Sequence, residues 1–347
     1  MPDTTMIERP DAHDGAFAIS CPRDKADLVL IPVPWDATTS YRAGTHRGPA
    51  AILEASDQID TVDPSLGPRP LPRLTFLRVP DSLPELNNEA RRLAVAIMQD
   101  SEAAAGGNSV GRVNEIGHLV NQYVHDVTSE ELTANRIVGI VGGDHSTPLG
   151  AIEAIASRIS EFGILHIDAH ADLRKAYLGM EWSHASIMYN VTTRVPAMTR
   201  LVQVGIRDLC LEEHDRIAGS GGRIRTWYDT AIKEALFGGE TFASLRNRII
   251  DDLPESVYVS FDVDGLDPSC CPNTGTPVPG GLGYDQATSL LQAVVRSGRR
   301  IVGFDVCEVS PGPSPQAGNL DAIVGMRLVY KLGMLALESQ GRLTDTP

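Results

Sequence analysis

The stretch FGILHIDAHAD, residues 162–172, decides how this chain is read. Its first six residues make a run of strand length, and the run stops at Asp168, His170 and Asp172, set two residues apart. Near-continuous apolar character, in place of alternation, marks a strand covered on both faces, as in parallel sheets packed between helices. Side chains at i, i+2 and i+4 of an extended segment project to the same side, so the three polar residues can address one point beyond the strand's carboxyl end. His166 points the same way one step deeper and is expected to be a satisfied core histidine.

The same kind of run recurs as VLIPV (29–33), IVGIV (137–141), LVQVGI (201–206), VYVSF (257–261) and IVGFDV (301–306). Between the runs lie segments of helical period: 90–100, 113–127, 147–159, 284–297 and 321–339. Strands that alternate with helices predict an α/β fold with a mostly parallel central sheet. Residues 26–347 are expected to form a single domain. Residues 1–25, which carry Pro, Asp and Gly without periodicity, are expected to form a flexible arm. The Pro-rich patches at 63–73, 272–279 and 311–315 predict loops.

The composition narrows the partners. A formal net charge of -15 excludes nucleic acid and anionic membrane, which bind through clustered Lys and Arg, and favours a small cationic ligand. Five cysteines with no CxxC pair offer neither a disulfide framework nor a zinc–thiolate site. The first fifteen residues hold no apolar run, so a signal or membrane anchor is not expected and the expected location is cytoplasmic.

In an open parallel sheet, ligands bind beyond the carboxyl ends of the strands. IVGIV runs into GGDH, supplying His145, and VYVSF runs into DVD, supplying Asp262 and Asp264. With Asp168, His170 and Asp172, this gives four carboxylates and two imidazoles converging on one place. Four neighbouring carboxylates repel and are costly to bury without cations. Two divalent ions would neutralise them, about 3.5–4 Å apart as in two-metal hydrolytic sites. The oxygen-rich shell suits manganese and admits nickel, iron or cobalt.

GGDHS (142–146), DAHAD (168–172) and SFDVDGLDPSCCPNTGTPVPGGL (260–282) resemble the three signature motifs of the ureohydrolases, the family of arginases and agmatinases, in order and spacing. The resemblance implies a three-layer α/β/α sandwich, a dinuclear manganese or nickel site, and a trimeric or hexameric assembly. Carried over by position, one metal would take His145, Asp168, Asp172 and Asp262. The other would take His170, Asp168, Asp262 and Asp264, so that Asp168 and Asp262 bridge. Glu308 in GFDVCEVSP resembles the glutamate that holds the guanidinium group. His184 in EWSHAS resembles the histidine that passes protons to the departing amine, Asp172 would relay a proton from the nucleophile, and Thr276 in TGTP resembles a substrate-side residue. Asp144 and Asp267 are expected to orient ligands and backbone.

The implied reaction is hydrolysis of a guanidine carbon–nitrogen bond, giving urea or a substituted urea plus an amine or ammonia. The loop LRKAYLGMEWSHASIMYN (173–190) lacks the polar grip of arginases, and it places Ala185 after His184 where agmatinase-like members have glycine. Tyr177, Met180, Trp182, Met188 and Tyr189 suggest an aromatic rim, with Trp182 touching substrate. Such a rim would suit a compact or alkylated guanidine, including free guanidine or a biguanide such as metformin, and the loop resembles those of the agmatinase-like, guanidine- and metformin-hydrolysing branch of the family; agmatine is a further candidate. Two alternatives stay open: a non-catalytic subunit that assembles with a homologous chain, and a metal-dependent phosphoesterase.

Overall fold

The computed structural model describes residues 11, 15–99, 108–313 and 319–343. Eight strands form one sheet: β1 (Leu28–Val33), β2 (Leu74–Phe76), β3 (Ile137–Gly142), β4 (Phe162–Ile167), β5 (Met198–Ile206), β6 (Ile224–Tyr228), β7 (Ser256–Asp262) and β8 (Arg300–Cys307). The spatial order is β2-β1-β3-β8-β7-β4-β5-β6. Every pairing is parallel, including the central ones of β3 with β8, β8 with β7 and β7 with β4.

Alternate side chains along each strand serve opposite layers. Leu28 and Leu30 of β1 join one core with Ile52 of α1 (Gly48–Ser56), Ile232 of α7 (Asp229–Phe237), Leu245 of α8 (Phe242–Asp251), Leu290 of α9 (Tyr284–Arg296) and Leu328 of α10 (Leu320–Ser339). Val29 and Ile31 face the other way, onto Leu86 of α2 (Ser82–Gln99) and Ile116 of α3 (Ser109–Thr133). On that second face Ile164 packs with Ile152 of α4 (Leu149–Ala156) and Ile187 of α5 (Ile187–Arg194). The helix α6 (Leu211–Ala218) rests Ile217 against the same cluster. This is the expected three-layer α/β/α sandwich. Two fully covered faces explain why the central strands are unbroken apolar runs.

Residues 15–25, expected to belong to a flexible arm, include a packed segment. Phe17 is fully buried, its ring centroid 5.7 Å from that of Tyr330, and its amide donates to Ser56 Oγ at 3.0 Å. Residues 1–10 and 12–14 of that expectation lie outside the described residues. Two strands and five helices were not expected: β2, β6, α1, α5, α6, α7 and α8. No described helix is long and apolar enough to cross a membrane.

Candidate metal centre

The four strands whose ends carry the candidate residues, β3, β8, β7 and β4, are neighbours at the middle of the sheet. His145 follows β3, Glu308 follows β8, Asp262 ends β7, and Asp168 follows β4. Parallel strands bring all their carboxyl ends to one edge, so residues far apart in sequence converge there.

Among the described residues three groups of ligand atoms lie within 4.8 Å of one another: His145, His166, Asp168 and Asp172 in the first, Asp168, His170 and Asp264 in the second, and beneath these two a buried group of His145, Asp305 and Cys307. Asp168 belongs to the first two. His145 Nδ1 lies 3.0 Å from Asp168 Oδ2, 3.2 Å from Asp172 Oδ2 and 3.5 Å from Asp262 Oδ2. His170 Nδ1 lies 3.0 Å from Asp264 Oδ2 and 3.5 Å from Asp168 Oδ1. All six candidate ligands therefore meet, with Asp262 also accepting the Asp264 amide at 2.8 Å.

The donor set fits divalent cations. Burial, reinforced by Asp264 and Asp168, pushes the Asp262 carboxyl well above its ordinary value, and burial with Asp168 pushes Asp172 up to about 6. Burial would lower the imidazoles, yet Asp168 and Asp172 around His145, and Asp264 and Asp168 around His170, hold both well above theirs. Carboxylates sharing one buried space repel unless positive charge lies among them. Asp168 moves the opposite way from Asp262 and Asp172. Burial opposes its ionisation, but His166, His145 and His170 outweigh it and hold it well below the usual range.

Glu308 sits beside this cluster, 3% exposed, with Oε1 accepting the His145 amide at 3.0 Å. Its Oε2 is buried without a hydrogen-bond partner. Burial, Asp144 and Asp264 push this carboxyl well above its ordinary value. Its φ is +63° and that of Asp172 is +53°, the left-handed region that side-chain-bearing residues seldom occupy and that clusters at functional sites.

A cleft of about 310 Å³ opens over the cluster, lined by His170, Asp172, Tyr177, His184, Asp208 and Thr276 among others. Thr276 Oγ1 reaches Asp264 Oδ2 at 3.3 Å. His184 Nδ1 is 3.4 Å from Thr38 Oγ1, which in turn lies 3.2 Å from Asp144 Oδ2. Burial, together with His170 and His145, lowers His184 to about 3. Asp144 does orient backbone, accepting the Ser146 amide at 3.0 Å, whereas Asp267 caps a turn at Ser269.

The expected aromatic rim dissolves except for Tyr177. Trp182 is not in the cleft: Gly117 leaves it room on α3, its ring lies 5.4 Å from that of His118, and Arg194 stacks on it at 4.8 Å. The substrate contact expected of Trp182 is thus corrected to a packing contact. Met180 and Met188 are buried in the core, and Tyr189 lies under Arg216. In their place the cleft gains Tyr41, Arg174, Leu209 and Asp208. Asp208, two residues past the end of β5, could have been found by the strand-end rule; Tyr41 carries no comparable signal.

An N(1)-aminopropylagmatine ureohydrolase of Thermus thermophilus is 33% identical over 320 residues, covering 92% of this chain and 93% of its own. The proclavaminate amidino hydrolase of Streptomyces clavuligerus superposes with a TM-score of 0.71 at 25% identity, covering 96% of this chain and 98% of its own. The agmatine ureohydrolase of Thermoplasma volcanium gives 0.71 at 22% identity, covering 94% of each chain. Residues 26–334 match the arginase family model. With the sheet, the carboxylate–imidazole cluster and the match over most of its length in agreement, the chain belongs to the arginase family.

Proposed function

We propose that the protein is a binuclear-metal amidinohydrolase acting on a small guanidino compound other than an amino acid. The candidates are guanidine, agmatine and an alkylated guanidine or biguanide such as metformin. The observation that carries this reading is the buried, unpartnered Oε2 of Glu308 next to the ligand cluster. A planar guanidinium supplies paired donors to such a carboxylate.

His145, Asp168, His170, Asp172, Asp262 and Asp264 would hold two divalent ions, Mn2+ or Ni2+, which when bound lower the pKa of water to yield a nucleophile near neutral pH. Glu308 fixes the guanidinium and supplies orientation as well as charge. Water adds to the guanidinium carbon, Asp172 takes up its proton, and the carbon becomes tetrahedral. His184 relays that proton from Asp172 to the departing nitrogen. The carbon–nitrogen bond then breaks, and the remaining hydroxyl proton goes to the released nitrogen, leaving urea or a substituted urea and a protonated amine or ammonium.

Charge at the cleft favours a cationic substrate without a carboxylate tail. Apart from the ligands, its lining carries Asp208 and Glu213 against one cation, Arg174, whose Nε already lies 3.7 Å from Glu213 Oε2. A single arginine and no second basic group also argue against phosphate esters. A complete ligand set argues against a retired subunit. Assembly as a trimer or hexamer, with itself or with a homologous chain, belongs to the same proposal and is tested by light scattering of the purified protein.

The deciding experiment loads the protein separately with manganese and nickel. Urea, amine and ammonia are then assayed from guanidine, agmatine, aminopropylagmatine, metformin, guanidinobutyrate and arginine. Turnover of at least one carboxylate-free guanidine above arginine is expected. Absence of urea or substituted urea from all six in protein shown to hold two ions per chain would overturn the reading.

A further inference from the structure

One row of side chains crosses the sheet just beneath the metal centre. The register pairs Asp305 with Ser260, Ser260 with His166, His166 with Gln203, and Gln203 with Thr226. Residues paired across parallel strands face the same way, so five polar residues stand side by side on a sheet face that is otherwise apolar. Four of them, Asp305, Ser260, His166 and Gln203, are at most 0% exposed. Buried polar groups are costly unless each is satisfied, which calls for a reason to keep them.

The hydrogen bonds along the row fix where the protons sit. Gln203 Nε2 donates to the carbonyl of Ala171 at 2.8 Å, and its Oε1 accepts from Thr226 Oγ1 at 3.0 Å. A carbonyl only accepts, so reversing the Gln203 amide would set two acceptors against each other; the amide has one orientation. Its Nε2 therefore also donates to His166 Nδ1, 3.0 Å away. A neutral imidazole that accepts at Nδ1 carries its hydrogen on Nε2, and His166 Nε2 lies 2.8 Å from Asp168 Oδ2.

We infer that His166 is a positioning residue for the metal centre. Locked by Gln203 and Thr226 in its Nε2–H tautomer, it holds the shared carboxylate of Asp168 in place and is not itself a ligand. Although His166 lies within the first group of possible ligand atoms, a protonated Nε2 has no lone pair for an ion. Asp168 Oδ1 is held from the other side by the His170 amide at 2.6 Å. The rings of His145 and His170, which also approach these oxygens at 3.0 and 3.5 Å, are candidate ligands themselves; apart from them each oxygen has one donor and keeps a lone pair for an ion, the state a shared carboxylate needs.

This inference rests on the two-metal reading of the site, and its test separates the two. Metal-free protein is titrated with Mn2+ by calorimetry, and 15N spectra of histidine-labelled protein report the tautomer. His166→Leu should weaken binding of at least one ion by about 10–100-fold, the usual loss when a hydrogen-bond partner of a ligand is removed. His166→Gln, which retains a donor, should recover most of that loss, and excess Mn2+ should restore turnover in both with KM little changed. Gln203→Met, which leaves His166 in place, should abolish the single tautomer and weaken Mn2+ in the same direction.

A spectrum showing the His166 hydrogen on Nδ1 in the unaltered protein would overturn the inference. So would Mn2+ binding in Gln203→Met and His166→Leu equal to that of the unaltered protein, and should His166→Leu fail to fold, Gln203→Met and the spectrum decide. Failure of the unaltered protein to bind two ions would instead sink the two-metal reading.

Discussion

Glu308→Gln separates what the site does from what the fold needs. The amide keeps an oxygen to accept the His145 backbone hydrogen, now satisfied at 3.0 Å, but puts an NH2 group where Oε2 stands unpartnered. Two charge-assisted hydrogen bonds to a guanidinium, at about 1.5–3 kcal/mol each, give a loss of about 3–6 kcal/mol. At about 1.4 kcal/mol per tenfold, kcat/KM should fall by about 10²–10⁴. Stability should move the other way. Burial raises the Glu308 carboxyl well above its ordinary value, so at neutral pH the ionised group opposes folding, and a neutral amide relieves that opposition. The assay pairs steady-state kinetics on the preferred guanidine with metal content and with thermal unfolding of the metal-free protein. Two ions per chain, an unchanged or raised Tm and the predicted kinetic loss are expected together. A kcat/KM within tenfold of the unaltered protein, or a loss that tracks missing metal, would refute the assignment of Glu308 to the substrate.

Other substitutions probe separate parts of the site. Gly275→Ala would place a methyl group 3.2 Å from Glu308 Oε2, so KM should rise with metal content intact, as kinetics and metal analysis would show. Asp262→Asn should lose metal and turnover together, because its carboxylate lies within 3.5 Å of His145 Nδ1; full activity would refute the ligand set. The Asp208 amide donates to the Ala169 carbonyl at 3.1 Å, but its carboxylate lines the cleft, and Asp208→Asn should raise KM about two- to fivefold for a substrate with a second positive charge. It should leave free guanidine unaffected in the same assay. Away from the cleft, burial works against ionised Asp36, but the His46 ring at 2.6 Å, Asn87 and the Gly44 amide outweigh it and lower its pKa to about 2. Its contribution, about 2 kcal/mol, is complete above its unfolded value near 4 and is lost as pH falls toward 2. The Tm gap between the protein and Asp36→Asn should close over that window.

Much of the fold is legible because the central strands are covered twice. Val257 to Phe261 and Ile301 to Val306 read as strands since no face of them meets water. The two missed strands are the sheet's edges: β2 has three residues, and in β6 only Ile224 of five is buried. The short helices α5 to α8, of eight to ten residues, offer barely two turns for a 3.6-residue period to declare itself. The convergence of the six candidate ligands was legible because strand-end carboxylates and imidazoles are costly without a purpose. The rim was not, since whether Trp182 faces the cleft or Gly117 depends on a helix more than sixty residues earlier in the chain. His166 showed its depth in the sequence, but its partner Gln203 lies on the neighbouring strand, and only the register reveals it.

The left-handed backbone at Asp172 and Glu308 carries an evolutionary consequence. Glycine is the residue that would relax both positions, by roughly 1–3 kcal/mol each, and it is also the replacement that erases the acid. Selection for a sturdier protein and selection for a working one therefore pull these two codons in opposite directions. A descendant freed from its chemistry should drift to glycine there before its buried core begins to change.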